Sequence, residues 1–341
     1  MNRTLYRLVL VSLMLFMGTG CKSSRQPAST IVPPKPPTAT LETVPLPPSP
    51  SPTASIIHKT KPGNPLDSLG QGNDQDSSVT ADKNRAPGGD FFSNGNLERP
   101  FNADAMDVYY PEIDIQSMAL GEDAEWIYAT ITLKGPDQSG RFTGVYGLEL
   151  DVDVDGRGDF LILASNPLAG DWSTDEVQAW TDTNEDVGNQ LVPESDPPST
   201  GNGYDSLIFD RGLGNDPDIA WSRVSPENPN SIQIAIKKSL FNDIEYLWGV
   251  WSGKSLNPAW FDLNDHFTFA EAGSPVVDYE VYYPLKLLSE VDNTCRLPAG
   301  FQPLGNEPAL CATASENTHC QPPPEGCQYG WNPQQCRCIA G

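Results

Sequence analysis

The residues best suited to chemistry are four aspartates in the stretch Leu150-Asp-Val-Asp-Val-Asp-Gly-Arg-Gly-Asp-Phe160. Asp151, Asp153, Asp155 and Asp159 are spaced around a glycine turn so that their carboxylates can converge on one point. A hard divalent cation such as Ca2+ takes about six to eight oxygen ligands, and the backbone carbonyl of Arg157 is a natural addition to the four side chains. Without a cation, carboxylates packed this closely repel one another and raise their own pKa values. Structural Ca2+ is therefore the expected cofactor. A solvated acidic turn is the alternative.

The spacing follows the opening positions of an EF-hand loop, but Ile162 stands where the bidentate glutamate belongs, and the flanks read as strands. The expectation is a calcium loop on a β-hairpin. A weaker second loop, Asp182-Thr-Asn184-Glu-Asp186-Val-Gly188, repeats the alternation with its glycine one place late. Asn215-Asp216-Pro217-Asp218 and the Asp262–His266 stretch with Glu271 read equally well as ordinary turns. Trp172, Trp180 and Trp260 lie beside polar turns and are candidate platforms for stacking on a sugar ring. Placement in the core is the competing expectation for each.

These residues need a scaffold, and the pattern supplies strands. Runs at 125–133, 143–150, 160–163, 177–180, 206–209, 219–221, 231–236 and 246–251 are rich in β-branched and aromatic residues and are separated by turn residues. Helical signals are confined to 237–244 and 285–291. The fold class expected is all-β, an antiparallel sandwich. The chain carries 45 acidic and 21 basic residues, and the imbalance is concentrated: residues 100–341 hold 38 acidic against 11 basic groups, a net −27. A domain this acidic repels phosphate backbones, which argues against nucleic acid as a partner and for cations. Three histidines in all (His58, His266, His319) argue against a His-based zinc or haem enzyme.

The ends of the chain carry different signals. Residues 1–20 place Arg3 and Arg7 before a ten-residue apolar run, Leu8–Met17, too short to span a bilayer but suited to a signal peptide. Gly18-Thr19-Gly20 then precede Cys21, which resembles the bacterial lipoprotein processing site and implies acylation of Cys21; ordinary secretion is the alternative. Residues 21–95 are rich in Pro, Ser and Gly, with 12 of the 33 prolines in 27–65, and are expected to be a disordered stalk. Residues 96–291 are the expected sandwich. Residues 292–341 hold Cys295, Cys311, Cys320, Cys327, Cys336 and Cys338. Six cysteines in an exported chain read as a disulfide-stapled module, with Cys295–Cys311 a plausible local bridge and zinc the rival.

Asp114-Ile115, Trp126-Ile-Tyr128 and Tyr146–Phe160, with its D-x-D-x-D-G-x-G-D core, resemble DOMON-like sandwiches related to family 9 carbohydrate-binding modules. They also resemble bacterial lipoproteins that carry such a domain on a Pro-rich stalk. The resemblance covers roughly residues 100–290 and implies a jelly-roll-like domain that binds sugar, haem or structural calcium. A haem site would be expected to show Met and His axial ligands, and only His266, Met106 and Met118 are present there.

The leading expectation is a monomeric, non-catalytic module in the extracytoplasmic space, held to the membrane by a lipid anchor and binding a glycan or a surface protein. A structural envelope or adhesion lipoprotein is the second reading. A glycoside hydrolase or lyase using paired carboxylates is the third.

Overall fold

A computed structural model describes residues 56–311, apart from 169, 189–200, 242–244, 262, 277–283, 306 and 308, together with two short strands at 331–332 and 337–338. The signal segment, Cys21, Cys320, Cys327 and Cys336 lie outside the described residues. The strands, in chain order, are β1 (Asp67–Asn73), β2 (Glu98–Arg99), β3 (Ile115–Glu122), β4 (Trp126–Leu133), β5 (Val145–Asp151), β6 (Phe160–Ser165), β7 (Val177–Thr181) and β8 (Ser206–Asp210). They continue with β9 (Leu213–Gly214), β10 (Ala220–Val224), β11 (Ser231–Lys237), β12 (Tyr246–Gly253), β13 (Val291–Asn293), β14 (Leu297–Ala299), β15 (Trp331–Asn332) and β16 (Arg337–Cys338).

Among the described residues these strands form two large sheets and a separate two-stranded one, β15-β16, with every strand ladder antiparallel. The first runs β1-β3-β4-β11-β10; the second runs β2-β13-β12-β5-β6-β7-β8-β9, with β14 also on β12. The core follows from side-chain alternation. On β4, Ile127, Ala129, Ile131 and Leu133 face inward, meeting Tyr146, Leu148 and Leu150 of β5 and Trp248 and Val250 of β12 between the sheets. The opposite face of the second sheet is also covered: Leu161, Leu163 and Trp251 pack against Phe92, Leu97, Phe261 and Leu288. That is why β12 is buried at every position and reads as an unbroken apolar run.

The expected disordered stalk ends earlier than residue 95. Residues 67–73 form β1 and pair with β3 from Asp67↔Glu122 to Asn73↔Ser117. Before it, residues 58–64 are strapped to the first sheet. His58 Nδ1 lies 2.7 Å from Asp218 Oδ1, while the Lys59 and Thr60 amides donate to Asp218 Oδ2 at 2.8 and 2.9 Å. Arg223 Nη2 donates to Asn64 Oδ1 at 2.7 Å. The Gly-rich β1 sequence DSLGQGN lacks apolar alternation because it is an edge strand with little burial.

At the other end the sandwich continues past residue 291, since β13 and β14 both pair with β12. Cys295 and Cys311 form a disulfide. Cys338 lies in β16, opposite Trp331. Among the described residues the two helical expectations give only a 3-10 turn, Lys238–Leu240, with 242–244 lying outside them; 285–290 is irregular and Val291 begins β13. The α-helix among the described residues is the single turn Phe269–Ala272. None there is long and apolar enough to cross a membrane.

Candidate functional site

The first acidic loop joins β5 to β6, as the alternation on either side of it requires. Asp151 is the last residue of β5, buried on the face away from the central core, and Asp159 precedes β6. Each of Asp151, Asp153 and Asp159 brings one carboxylate oxygen within 4.8 Å of the others. Asp155 stands outside this group: its Oδ1 accepts from the Arg157 amide at 2.8 Å, and its Oδ2 lies 3.8 Å from Arg157 Nε. Arg157 also forms an isolated bridge with Gly188, tying the first loop to the second.

The loop's own backbone braces all three converging groups, with Asp155 N donating to Asp153 Oδ1 at 3.1 Å. Gly156 N donates to Asp151 Oδ2 at 3.0 Å, and Val152 N donates to Asp159 Oδ2 at 2.6 Å. The other oxygen of Asp151, Oδ1, is buried and accepts no hydrogen bond. Burial pushes the Asp151 carboxyl up to about 7, even with the opposing pull of Arg296. Burial also raises Asp159. A buried carboxylate oxygen without a donor is costly, and a cation is one of the few partners that removes the cost.

Both glycines of the motif have separate causes. Gly156 adopts φ +99°, a left-handed conformation that side chains disfavour. Gly158 is excluded from having a side chain by packing: a Cβ there would stand 1.8 Å from the Tyr204 hydroxyl oxygen and 2.6 Å from Glu149 Oε1.

Arg296, Glu149 and Tyr204 belong to the site and carry no local signal in the sequence. Arg296 Nη1 donates to the Gly156 carbonyl at 2.9 Å and lies 3.4 Å from Asp151 Oδ2. Its Nη2 is 3.5 Å from Glu149 Oε1, and Glu149 is further held by Tyr204 and Trp251 Nε1, each at 2.8 Å. One guanidinium thus pairs with two carboxylates, those of Glu149 and Asp151, while Asp153 and Asp159 add further negative charge to the loop.

The second loop is organised differently. Asp182 turns both oxygens onto loop amides: Oδ1 accepts from Asn184 and Glu185, Oδ2 from Asp186 and Val187, at 2.8–3.1 Å. Asn184 Nδ2 bridges Asp186 Oδ2 and Asn202 Oδ1 at 3.0 and 3.1 Å. This is an acid-capped turn, and among the described residues it gathers no group of three acids. Asp216 is likewise occupied, 2.8 Å from Lys237 Nζ, and Asp218 anchors the strap. Glu271 closes a capping box with Thr268.

The tryptophans separate by exposure. Trp172 is 6% exposed; the Arg223 guanidinium covers its ring at 4.2 Å, and its indole N–H donates to Gly63 O at 2.8 Å. It is a packing residue under the strap, which corrects the expectation of a stacking platform. Trp180 is half-buried beside the outer core. Trp260 is 52% exposed, on the 3-10 turn Pro258–Trp260, which Tyr204 N joins through Pro258 O at 2.9 Å. Comparison with family models, curated proteins and solved structures gives no match.

Proposed function

We propose that this chain is an extracytoplasmic, lipid-anchored and non-catalytic binding module whose sandwich is stiffened by Ca2+. The observation that carries the cation is the convergence of Asp151, Asp153 and Asp159 on one point, with Asp151 Oδ1 buried and unpartnered. All three donors are carboxylate oxygens, the chemistry a hard cation selects. The anchor rests on the apolar run before Cys21, and the extracytoplasmic setting agrees with the Cys295–Cys311 bridge.

Binding is assigned to the surface around Trp260, whose exposed ring offers a stacking face for a glycan or an aromatic anchor for a surface protein. Tyr204 and Phe261, whose rings are 5.6 Å apart, connect this turn to the Glu149 side of the loop, so a cation that orders the loop also supports the turn. The test is retention of the full chain on insoluble polysaccharides in Ca2+ and in EDTA. Retention that depends on Ca2+ supports a glycan; none on any polysaccharide in Ca2+ leaves the surface-protein form of the proposal and rules out the glycan.

A further inference from the structure

At the end of the sandwich where the sheets meet, four acids from four segments are gathered in the interior: Asp74 just after β1, Glu98 in β2, Asp114 just before β3, and Asp292 in β13. Glu98 and Asp292 are direct cross-strand partners. Like charges placed opposite each other in a ladder destabilise it, and here both are fully buried, at 1% and 0% exposure. Asp74 closes the group: it, Glu98 and Asp292 each bring one oxygen within 4.8 Å of the others.

The hydrogen bonds leave specific oxygens open. Asp292 Oδ2 accepts from Ile115 N at 2.7 Å, which links the second sheet to β3 of the first; Asp292 Oδ1 is buried and accepts nothing. Asp74 Oδ1 accepts from Gln75 N at 2.9 Å, while its Oδ2 is also buried without a donor. Ser77 Oγ donates to Glu98 Oε1 at 2.6 Å. Asp114 is held beside the group by the Tyr109 hydroxyl and by Gln116 Nε2 at 2.8 Å.

Among the described residues no ion pair reaches any of the four. The neighbouring cations are already committed. Arg99 binds Asp90 at 2.7 Å and three backbone carbonyls, and Lys134 binds Asp76 at 2.7 Å. Three buried acids, Glu98, Asp114 and Asp292, beside the half-buried Asp74 and with no ion-pair partner, require either protons or a cation. The geometry offers a cation what it needs: one oxygen from each of Asp74, Glu98 and Asp292 within 4.8 Å of the others, with Asp74 Oδ2 and Asp292 Oδ1 buried and without a donor.

We infer that Asp74, Glu98 and Asp292 form a second, interior Ca2+ site that clamps the edges of the two sheets together, with Asp114 adding negative charge at its border. The site does not rest on the reading of the Asp151 loop. It draws on residues from both ends of the folded chain, so the cation fastens the N-terminal β1 and the late β13 into one unit. Oxygen-only ligation from irregularly disposed segments suits Ca2+ better than Mg2+, which demands near-octahedral geometry and retains water.

The test is Ca2+ stoichiometry by equilibrium dialysis of the detergent-solubilised full chain, with melting in Ca2+ and in EDTA, for wild type, Asp292→Asn, Asp74→Asn and Asp153→Asn. The expected result is one fewer Ca2+ per chain in Asp292→Asn and in Asp74→Asn, with the interior ion kept in Asp153→Asn. Both interior variants should also melt higher than wild type in EDTA, because an amide neither carries a buried charge nor has to take up a proton on folding. If Asp292→Asn does not fold, Asp74→Asn decides. Wild-type stoichiometry in the interior variants, or no Ca2+ bound to wild type, overturns the site and leaves a protonated cluster. Loss of an ion from Asp153→Asn alone bears only on the loop.

Discussion

The Arg296 guanidinium lies 3.4 Å from Asp151 Oδ2, joining residues 145 apart in sequence. Arg296 directly follows the disulfide-bonded Cys295 and lies between β13 and β14, whose pairing with β12 brings it beside the end of β5. The arginine partly neutralises the loop and competes with a cation for Asp151. Arg296→Met should therefore lower stability in EDTA, by about 3–5 kcal/mol as for other buried pairs that lose one partner. It should at the same time tighten Ca2+ binding at the loop. Urea unfolding and calcium titration check the two signs; weaker Ca2+ binding would count against a cation at Asp151.

Gly158 provides a test of packing in the loop. Gly158→Ala drives a methyl group into the Tyr204 hydroxyl and Glu149, and overpacking of this kind costs about 1–3 kcal/mol. Gly135, whose Cβ would meet nothing within 4 Å, is the control. Gly135→Ala should leave the urea midpoint nearly unchanged, and Gly158→Ala should lower it.

Stability without metal should depend on pH with a definite sign. Burial pushes Asp74 up to about 8 and Asp114 up to about 7, and Glu98 and Asp292 rise with them. An unfolded carboxyl titrates near ~4, so between roughly pH 4 and 8 the native state holds protons that the unfolded chain has released. Stability then falls as pH rises through that window. In EDTA the melting midpoint should decline from about pH 5 to about pH 8, and Asp74→Asn should flatten the decline. Saturating Ca2+ should flatten it as well, since ligation requires the ionised acids. A midpoint that climbs with pH in EDTA would contradict the assignment.

Trp260 and Trp172 should respond oppositely to truncation. Trp260→Ala removes an exposed ring and should abolish retention on whichever partner binds, with the melting midpoint unchanged. Trp172→Ala empties a packed site and should cost about 3–5 kcal/mol. Pull-down and melting on the same two proteins read both effects.

What could be read in advance was local. The strands from β4 to β12, the two-residue β9 apart, announce themselves by runs such as Trp126–Leu133, and the Asp151 loop is contiguous, so the convergence of Asp151, Asp153 and Asp159, though not of Asp155, follows its spacing. The Cys295–Cys311 bridge closes over only 16 residues. Three features were hidden for physical reasons. β1 is an exposed, glycine-rich edge strand and so has no apolar period to detect. Arg296 reaches Asp151 through tertiary pairing on β12. The interior cluster takes single acids from four segments, and one aspartate or glutamate in a strand carries no pattern until the sheets are assembled. Trp172 misled because a polar neighbourhood in sequence became buried once the strap of residues 58–64 covered it.

A cation occupying clustered carboxylates in the native state is the central claim. Thermal melting of the full chain across a calcium titration, with elemental analysis of the purified protein, addresses that most directly. A ligand bound only by the folded state raises the midpoint as its concentration increases. With a cation in place, the midpoint should climb with Ca2+ and fall in EDTA, and calcium should be retained on purification. Equal midpoints in Ca2+ and EDTA, with no bound metal, would contradict it.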